Sequence, residues 1–191
     1  MKAAFALPAN SEVHNVVRKL SWEMHQKYRT GTRHASLPPH ISLKQPFGVS
    51  DLFALEKFME ELAGSIEPFE VTLNELQIVP ISSGGIEYGI LWVDVEESEE
   101  LRGLHNRLNH ELNQRFGSTA ADFDGDDYHF HMTVMIGGRP MDIYRKFLGE
   151  ISDPKINMRF TVKELALFVY DEPLGPNGEY LSYKILPIGK L

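Results

Sequence analysis

Two spacings of apolar residues alternate along the chain and predict a series of strands and helices. Apolar residues at every second position predict strands at residues 1–7, 40–47, 69–81, 86–95, 129–136, 160–170 and 180–188. Apolar residues three and four positions apart predict four helices, whose starts are marked by Asn10 or Ser11, Ser50 or Asp51, Ser98, and Pro140. Pro80 is expected to end the third strand, because proline cannot donate a ladder hydrogen bond.

The order of these elements repeats. Each half runs strand, helix, loop, strand, helix, strand, and the segment FEVTLNELQIV from Phe69 is echoed by FTVKELALFV from Phe160. The series predicts an internal duplication, with halves at about residues 1–83 and 84–191. Two copies are too few for a solenoid, so we expect a single α+β domain with pseudo-twofold symmetry, in which the halves can exchange strands.

Length and composition describe one folded domain. The 191 residues are 42% hydrophobic, enough for one well-packed core. There is no cysteine, which excludes a disulfide framework, a thiolate zinc site and a cysteine nucleophile. No apolar run has the length of a membrane span, and the apolar run in MKAAFALPAN is too short for a secretory signal. We therefore expect a monomeric cytoplasmic protein with no membrane association.

The net charge limits the class of partner. The chain carries 19 Lys and Arg against 27 Asp and Glu, a formal charge of −8. Proteins that hold long nucleic acids nonspecifically do so by neutralising many phosphates with a basic face. We therefore expect no such binding, whereas a small phosphate-bearing ligand or a single strand end in a local positive cleft remains compatible with this charge.

A histidine followed two positions later by Ser or Thr occurs three times. His34 lies in a loop, and the prolines that follow it should keep it off a regular strand. His40 and His131, by contrast, begin alternating segments at equivalent points of the two halves. The polar faces of these predicted strands carry His40, Ser42 and Lys44 in the first half and His129, His131 and Thr133 in the second.

A pseudo-twofold axis would bring the two polar faces to one cleft. Two imidazoles on either side of a phosphorus atom suit in-line displacement, because one accepts a proton from the attacking hydroxyl or water and the other donates one to the departing oxygen. Ser42 and Thr133 can donate hydrogen bonds to the non-bridging oxygens. Lys44 could attract phosphate and His129 could touch the substrate, whereas Tyr88, Trp92 and Tyr170 are favoured as core aromatics over base-stacking ones.

The paired motifs PPHISL and YHFHMTV, in a duplicated α+β chain of this size, resemble those of the two-histidine (2H) phosphoesterases, which include the 2′-5′ RNA ligase-like proteins and the cyclic phosphodiesterases. The resemblance implies a bilobal fold, with antiparallel-rich sheets flanking a central cleft and helices outside. It also implies cofactor-free, metal-independent chemistry on a 2′,3′-cyclic phosphate or a 2′-5′ bond at an RNA end or in a nucleotide. His40 and His131 would then be catalytic, and Ser42 and Thr133 would bind the phosphate.

Two alternatives remain open. A metal-dependent hydrolase could use His129 and His131 with carboxylates of the loop at 122–127. That loop does not follow the calcium-binding pattern, and the metal hypothesis leaves His40 without a role. A noncatalytic module could bind a nucleotide or RNA end on the same fold. The nucleophile elbow of serine hydrolases and the glycine fingerprints of nucleotide-binding loops are absent. The sequence does not distinguish hydrolysis from ligation.

Overall fold

The computed structural model describes residues 1–83, 86–170 and 180–189. None of the helices in these ranges combines the length and the apolar character needed to cross a membrane. The helices are α1 (Ser11–Tyr28), α2 (Leu52–Ala63), α3 (Glu99–Phe116) and α4 (Met141–Glu150), with a 3-10 helix at Arg33–Ser36. The strands are β1 (Lys2–Pro8), β2 (His40–Gly48), β3 (Phe69–Ser83), β4 (Ile86–Val95), β5 (His131–Pro140), β6 (Lys155–Val162), β7 (Glu164–Tyr170) and β8 (Tyr180–Pro187).

All eight strands belong to one antiparallel sheet in the order β6-β3-β4-β5-β2-β1-β7-β8. The α+β class is therefore confirmed. Only Lys163 separates β6 from β7, yet five strands lie between them in the order. Strands about 4.8 Å apart would put β6 and β7 about 29 Å from each other in a flat sheet. Two Cα–Cα steps reach at most about 7.6 Å, so the sheet curves strongly.

The strand order is symmetrical about the central β5–β2 pair. On one side β5 is followed by β4, β3 and β6, and on the other β2 is followed by β1, β7 and β8. Strand β3 of the first half thus pairs with β4 of the second half, and β7 of the second half pairs with β1 of the first. This order fits an exchange of strands between two halves. The division into halves at about 83 and 84 within one bilobal domain stays a prediction.

One hydrophobic core joins the four helices to one face of the central strands. Ile41 and Met132, next to the two motif histidines, are fully buried in it. Helix starts follow the predicted caps: the side chains of Asn10, Asp51 and Ser98 each accept a backbone hydrogen bond three residues on. Because this core covers the apolar face, the polar residues on either side of Ile41 in β2 and of Met132 in β5 lie on the opposite face of the sheet.

Four predicted elements are wrong, beginning with the strand expected at 129–136, which starts at His131 and leaves His129 outside it. The predicted strand at 160–170 is two strands, which break at Lys163 and pair at different places in the sheet. Pro80 does not end β3, which pairs with β4 as far as Ser83. The β6 pairing stops at Glu75, so Pro80 lies on an edge, where a missing amide is tolerated. The segment containing His34 is a 3-10 helix, where a loop was expected.

Candidate active site

The central strand pair places the two motifs against each other. Ile41 on β2 and Met132 on β5 are antiparallel register partners. One position to either side, His40 therefore lies across from Thr133, and Ser42 lies across from His131. Partners across an antiparallel pair point to the same face, so both histidines and both hydroxyl residues lie on one face of the sheet. All four are partly buried.

His40 is held through one ring nitrogen, and the other has no hydrogen-bond partner among the described residues. Its Nδ1 lies 2.8 Å from the carbonyl oxygen of Pro38, and because a carbonyl only accepts, Nδ1 donates and Nε2 keeps a lone pair. The ring contacts Phe168 edge to face, with centroids 4.7 Å apart. Burial, together with the smaller effects of the nearby His131 and Arg18 charges, lowers the pKa of His40 to about 4, although the hydrogen bond to Pro38 opposes the shift. His40 is therefore neutral at pH 7.

His131 is held in the same way. Its Nδ1 donates to the carbonyl oxygen of His129 at 3.0 Å, which again leaves Nε2 free. The ring stacks on Trp92, with centroids 4.1 Å apart. Burial lowers the pKa of His131, the hydrogen bond to His129 opposes that shift, and the Asp94 carboxylate also favours the charged form. Each motif histidine thus donates to the carbonyl two residues before it and presents Nε2.

Small side chains cover the strand next to the site. Ala6 on β1 is the register partner of both Ser42 on β2 and Ala166 on β7. Ala4, Ala6 and Ala166 form a second small apolar cluster with Phe168 and Tyr170, separate from the main core. Ala6 and Ala166 are fully buried and Ala4 is 3% exposed, so this cluster is packed against the strand beside Ser42.

A pocket of about 360 Å³ opens beside His40 and Thr133. Its walls come from α1, the 3-10 helix and the Leu37–Pro39 segment, β5 and β7, through Arg18, His34, Ser36, Leu37, Pro38, Pro39, Ile136 and Tyr170. His34 Nε2 lies 2.7 Å from the hydroxyl of Ser21 on α1. Arg18 was not predicted from the sequence, because its helical position carries no motif. His34 was expected in a loop, and Tyr170 was expected in the core.

Lys44 is not on the face predicted for it. An extra residue in β2 between Ser42 and Lys44, which pair with the adjacent Ala6 and Phe5 of β1, makes Lys44 the partner of a core residue and interrupts the alternation that begins at His40. The Lys44 side chain is 2% exposed and forms an ion pair with Asp124. That carboxylate also accepts from the backbone amide of Gln45 at 3.2 Å. Lys44 therefore anchors the acidic loop and does not face the site.

His129 lies at the edge of the site, where it is engaged with protein groups. It is 54% exposed, its Nε2 is 2.8 Å from Asp94 Oδ1, and its ring stacks on Trp92 at 5.4 Å. The loop carboxylate of Asp124 is turned to Lys44, away from His129 and His131. Within residues 1–83, 86–170 and 180–189, no three His, Asp or Glu side chains are grouped so as to hold a metal ion.

The family of the protein follows from the comparison of its sequence with known families. The sequence profile of the 2′-5′ RNA ligase superfamily matches residues 9–173, which include both histidine motifs. The chain belongs to the 2′-5′ RNA ligase superfamily, and the resemblance to 2H phosphoesterases is confirmed.

Relatives in sequence and in structure agree with that membership. The chain is 26% identical over 162 residues to a proposed phosphoesterase of Geobacillus sp. strain WCH70, with 84% of each chain covered. A similar protein of Bacillus pumilus strain SAFR-032 is 26% identical over 166 residues, covering 85% of this chain and 86% of the relative. Family and fold together support a phosphoesterase function.

Solved structures share the fold along the whole chain. The TT0787 protein of Thermus thermophilus superposes with a TM-score of 0.66 at 14% identity, with all of both chains covered. E. coli LigT in complex with 3′-AMP superposes with a TM-score of 0.61 at 20% identity, with 98% of each chain covered. At such identities these structures establish the fold alone.

Proposed function

We propose that this protein is a phosphoesterase that acts, without a metal ion, on a 2′,3′-cyclic phosphate or a 2′-5′ phosphodiester bond of a nucleotide or RNA end. The observation that carries the proposal is the shared arrangement of His40 and His131. Both donate from Nδ1 to a backbone carbonyl, both present Nε2, and the register of β2 and β5 puts them on one face. Such a pair can supply both proton transfers of a displacement at phosphorus.

In the hydrolytic direction, one Nε2 accepts the proton of the attacking water while the other donates a proton to the departing ribose oxygen. The new P–O bond to water forms as the P–O bond to the ribose breaks, so the pair exchanges its protonation states in one turnover. His131 is the imidazole more readily protonated before the reaction, since burial lowers the pKa of both but shifts that of His40 by the larger amount, to about 4. His40 is then the base.

Ser42 and Thr133 would bind the phosphate. Each lies across the strand pair from one histidine, so a phosphate between the imidazoles lies within reach of both hydroxyls. Hydroxyl donors placed where negative charge accumulates stabilise the transition state more than the ground state. Lys44 has no part in this site, because it is buried against Asp124.

Nucleotide complexes of a structural relative support the choice of substrate class. E. coli LigT has been crystallised with 3′-AMP, NADP+, ATP and phosphate. We take from this that a protein of this fold can bind a nucleotide. The net charge of −8 keeps the substrate small or limited to one strand end.

A product-resolved assay tests the proposal. The protein, purified without a histidine tag, is incubated in EDTA with 2′,3′-cyclic nucleotides and with 2′-5′ dinucleotides, and products are separated by chromatography. We expect turnover of at least one class, with a 2′-phosphate as the product of the cyclic substrates. Activity that is lost in EDTA and restored by a divalent ion would instead support the metal hydrolase, and tight nucleotide binding without turnover would support the binding module.

A further inference from the structure

The pocket beside His40 contains a cation that the proposed chemistry does not use. Arg18 projects from α1 and lines this pocket together with His40 and Thr133. Its Nη2 donates to the backbone carbonyls of Ala35, at 3.3 Å, and of Leu37. Within the part of the chain that the structure describes, Nε and Nη1 of Arg18 donate to no protein group. Two guanidinium nitrogens, which carry three of the five N–H donors, therefore remain for a ligand.

The other residues that line the pocket would strengthen a contact between a ligand and the Arg18 guanidinium. Among the described lining side chains, Arg18 is the one with a permanent positive charge. Burial, followed by the charge of Arg18, lowers the pKa of His34 to about 4, so His34 is neutral at pH 7. Leu37 and Ile136 add apolar wall. Charge-assisted hydrogen bonds gain strength where water is partly excluded, and guanidinium groups bind phosphate oxygens in pairs.

We propose that this pocket, which we call the Arg18 pocket, binds a second phosphate of the substrate while the first reacts between His40 and His131. This inference rests on the proposed function and narrows it to nucleotides that carry a phosphate besides the reacting one, such as a 5′-phosphorylated nucleotide or an oligonucleotide end. Because His40 and Thr133 line the same pocket, a substrate bound between the imidazoles continues directly into it. The volume of about 360 Å³ lies within the range typical of small-ligand sites.

Arg18 also has a structural role, which the test must separate from binding. By donating to Ala35 and Leu37 it holds the segment that leads to Pro38, the residue whose carbonyl orients His40. Loss of that bracing would slow the reaction of every substrate by a similar factor. Loss of a phosphate contact would slow only substrates that carry the second phosphate.

The experiment compares adenosine 2′,3′-cyclic phosphate with its 5′-phosphorylated form. We expect the wild type to show a kcat/KM about 10- to 100-fold higher for the 5′-phosphorylated substrate, the range given by a charge-assisted hydrogen bond. Arg18→Gln should abolish this preference for the 5′-phosphorylated substrate, even if it also changes kcat/KM for both substrates by a common factor. Arg18→Lys, which keeps the charge but not the paired donors, should retain part of it. Lys19→Gln removes an exposed charge from the same helix and should leave the ratio intact.

Binding provides a readout that does not need turnover. Adenosine 2′-phosphate and adenosine 2′,5′-bisphosphate are titrated into the wild type and the same variants by calorimetry, after circular dichroism has shown that each variant is folded. Tighter binding of the bisphosphate that depends on Arg18, in a protein that turns over neither substrate, would support the Arg18 pocket and defeat the proposed function. A wild type with no preference in either assay, or a preference that survives Arg18→Gln, would overturn the Arg18 pocket while leaving the phosphoesterase proposal standing.

Discussion

Ile41 on β2 pairs with Met132 on β5, and this register sets His40 and Thr133 to one side of the pair and Ser42 and His131 to the other. Each half of the site is therefore built from one histidine of one strand and one hydroxyl of the other. On this register, the hydroxyl across the strand pair from each imidazole belongs to the other motif. The two proposed proton transfers and the two proposed phosphate contacts thus depend on one strand pairing.

Removal of either imidazole should nearly abolish activity. Because each is proposed to transfer one proton, His40→Ala and His131→Ala should each lower kcat by about 10²- to 10⁴-fold. Steady-state kinetics on the best substrate from the product-resolved assay measures this loss. His110→Ala is the matched control, since His110 is an exposed histidine on α3 that contacts Gln114. Equal losses in His110→Ala and His40→Ala would contradict the assignment.

His34→Ala should have a smaller effect than His40→Ala. His34 lines the Arg18 pocket, but its Nε2 is paired with the hydroxyl of Ser21, so it is not presented to a reacting phosphate. The variant is expected to raise KM more than it lowers kcat, because it loosens the 3-10 helix that forms one wall of the pocket. A fall in kcat as large as that of His40→Ala would contradict the assignment of the reacting imidazole of the first half to His40 alone.

The pH dependence of kcat/KM should be bell-shaped with an acidic maximum. The reactive form of the free protein carries one neutral and one protonated imidazole, so its population is largest between the two pKa values. Burial lowers the pKa of both imidazoles below 6.5, and that of His40 to about 4. The maximum is therefore expected below pH 6.5, with a decline towards alkaline pH as the second proton is lost. A kcat/KM that rises steadily from pH 5 to pH 9 is incompatible with this arrangement.

The two hydroxyls should affect turnover more than binding. Thr133→Val and Ser42→Ala remove a donor proposed to act on the developing charge, so each should lower kcat by about 10²- to 10³-fold. Thr133→Ser keeps the hydroxyl and should retain most of the activity, which separates donation from packing. If Thr133→Val and Thr133→Ser lose activity to the same extent, the methyl group and not the hydroxyl is what matters at this position.

The ion pair between Lys44 and Asp124 should matter for stability. Both side chains are buried, 2% and 10% exposed, so removing one leaves an uncompensated charge. Lys44→Met should lower the free energy of unfolding by about 3–5 kcal/mol, measured by urea denaturation. The double variant Lys44→Met with Asp124→Leu should recover part of this loss, because no buried charge is left alone. A Lys44→Met variant of unchanged stability but weakened substrate binding would restore the role that the strand alternation predicted.

The sequence revealed the site wherever local alternation held. His40 and Ser42, like His131 and Thr133, are two residues apart on regular strands, so parity placed them on one face correctly. Parity failed at Lys44, because β2 has one more residue than β1 between the Ser42 and Lys44 pairings, and this bulge turns Lys44 to the opposite face. The caps of α1, α2 and α3 were predictable because they depend only on neighbouring residues.

Features that depend on distant partners were not predictable. In the sequence, Arg18 has the position of a solvent-exposed helix residue. Only the tertiary structure shows that it donates hydrogen bonds to the segment that ends at Leu37. The break at Lys163 follows from where β6 and β7 find partners, on β3 and β1, and the local apolar pattern continues through it. Local sequence thus specified the elements and both motifs, whereas the pocket beside them is a product of the tertiary fold.

A crystal structure of the protein with a nucleoside 2′-phosphate tests the central claim most directly. We expect the Nε2 atoms of His40 and His131 both to lie within hydrogen-bond distance, about 3 Å, of oxygens on the same phosphorus atom. Ser42 and Thr133 should contact the remaining oxygens. A phosphate that contacts only one of the two imidazoles, or that binds away from the β2–β5 pair, would contradict the account.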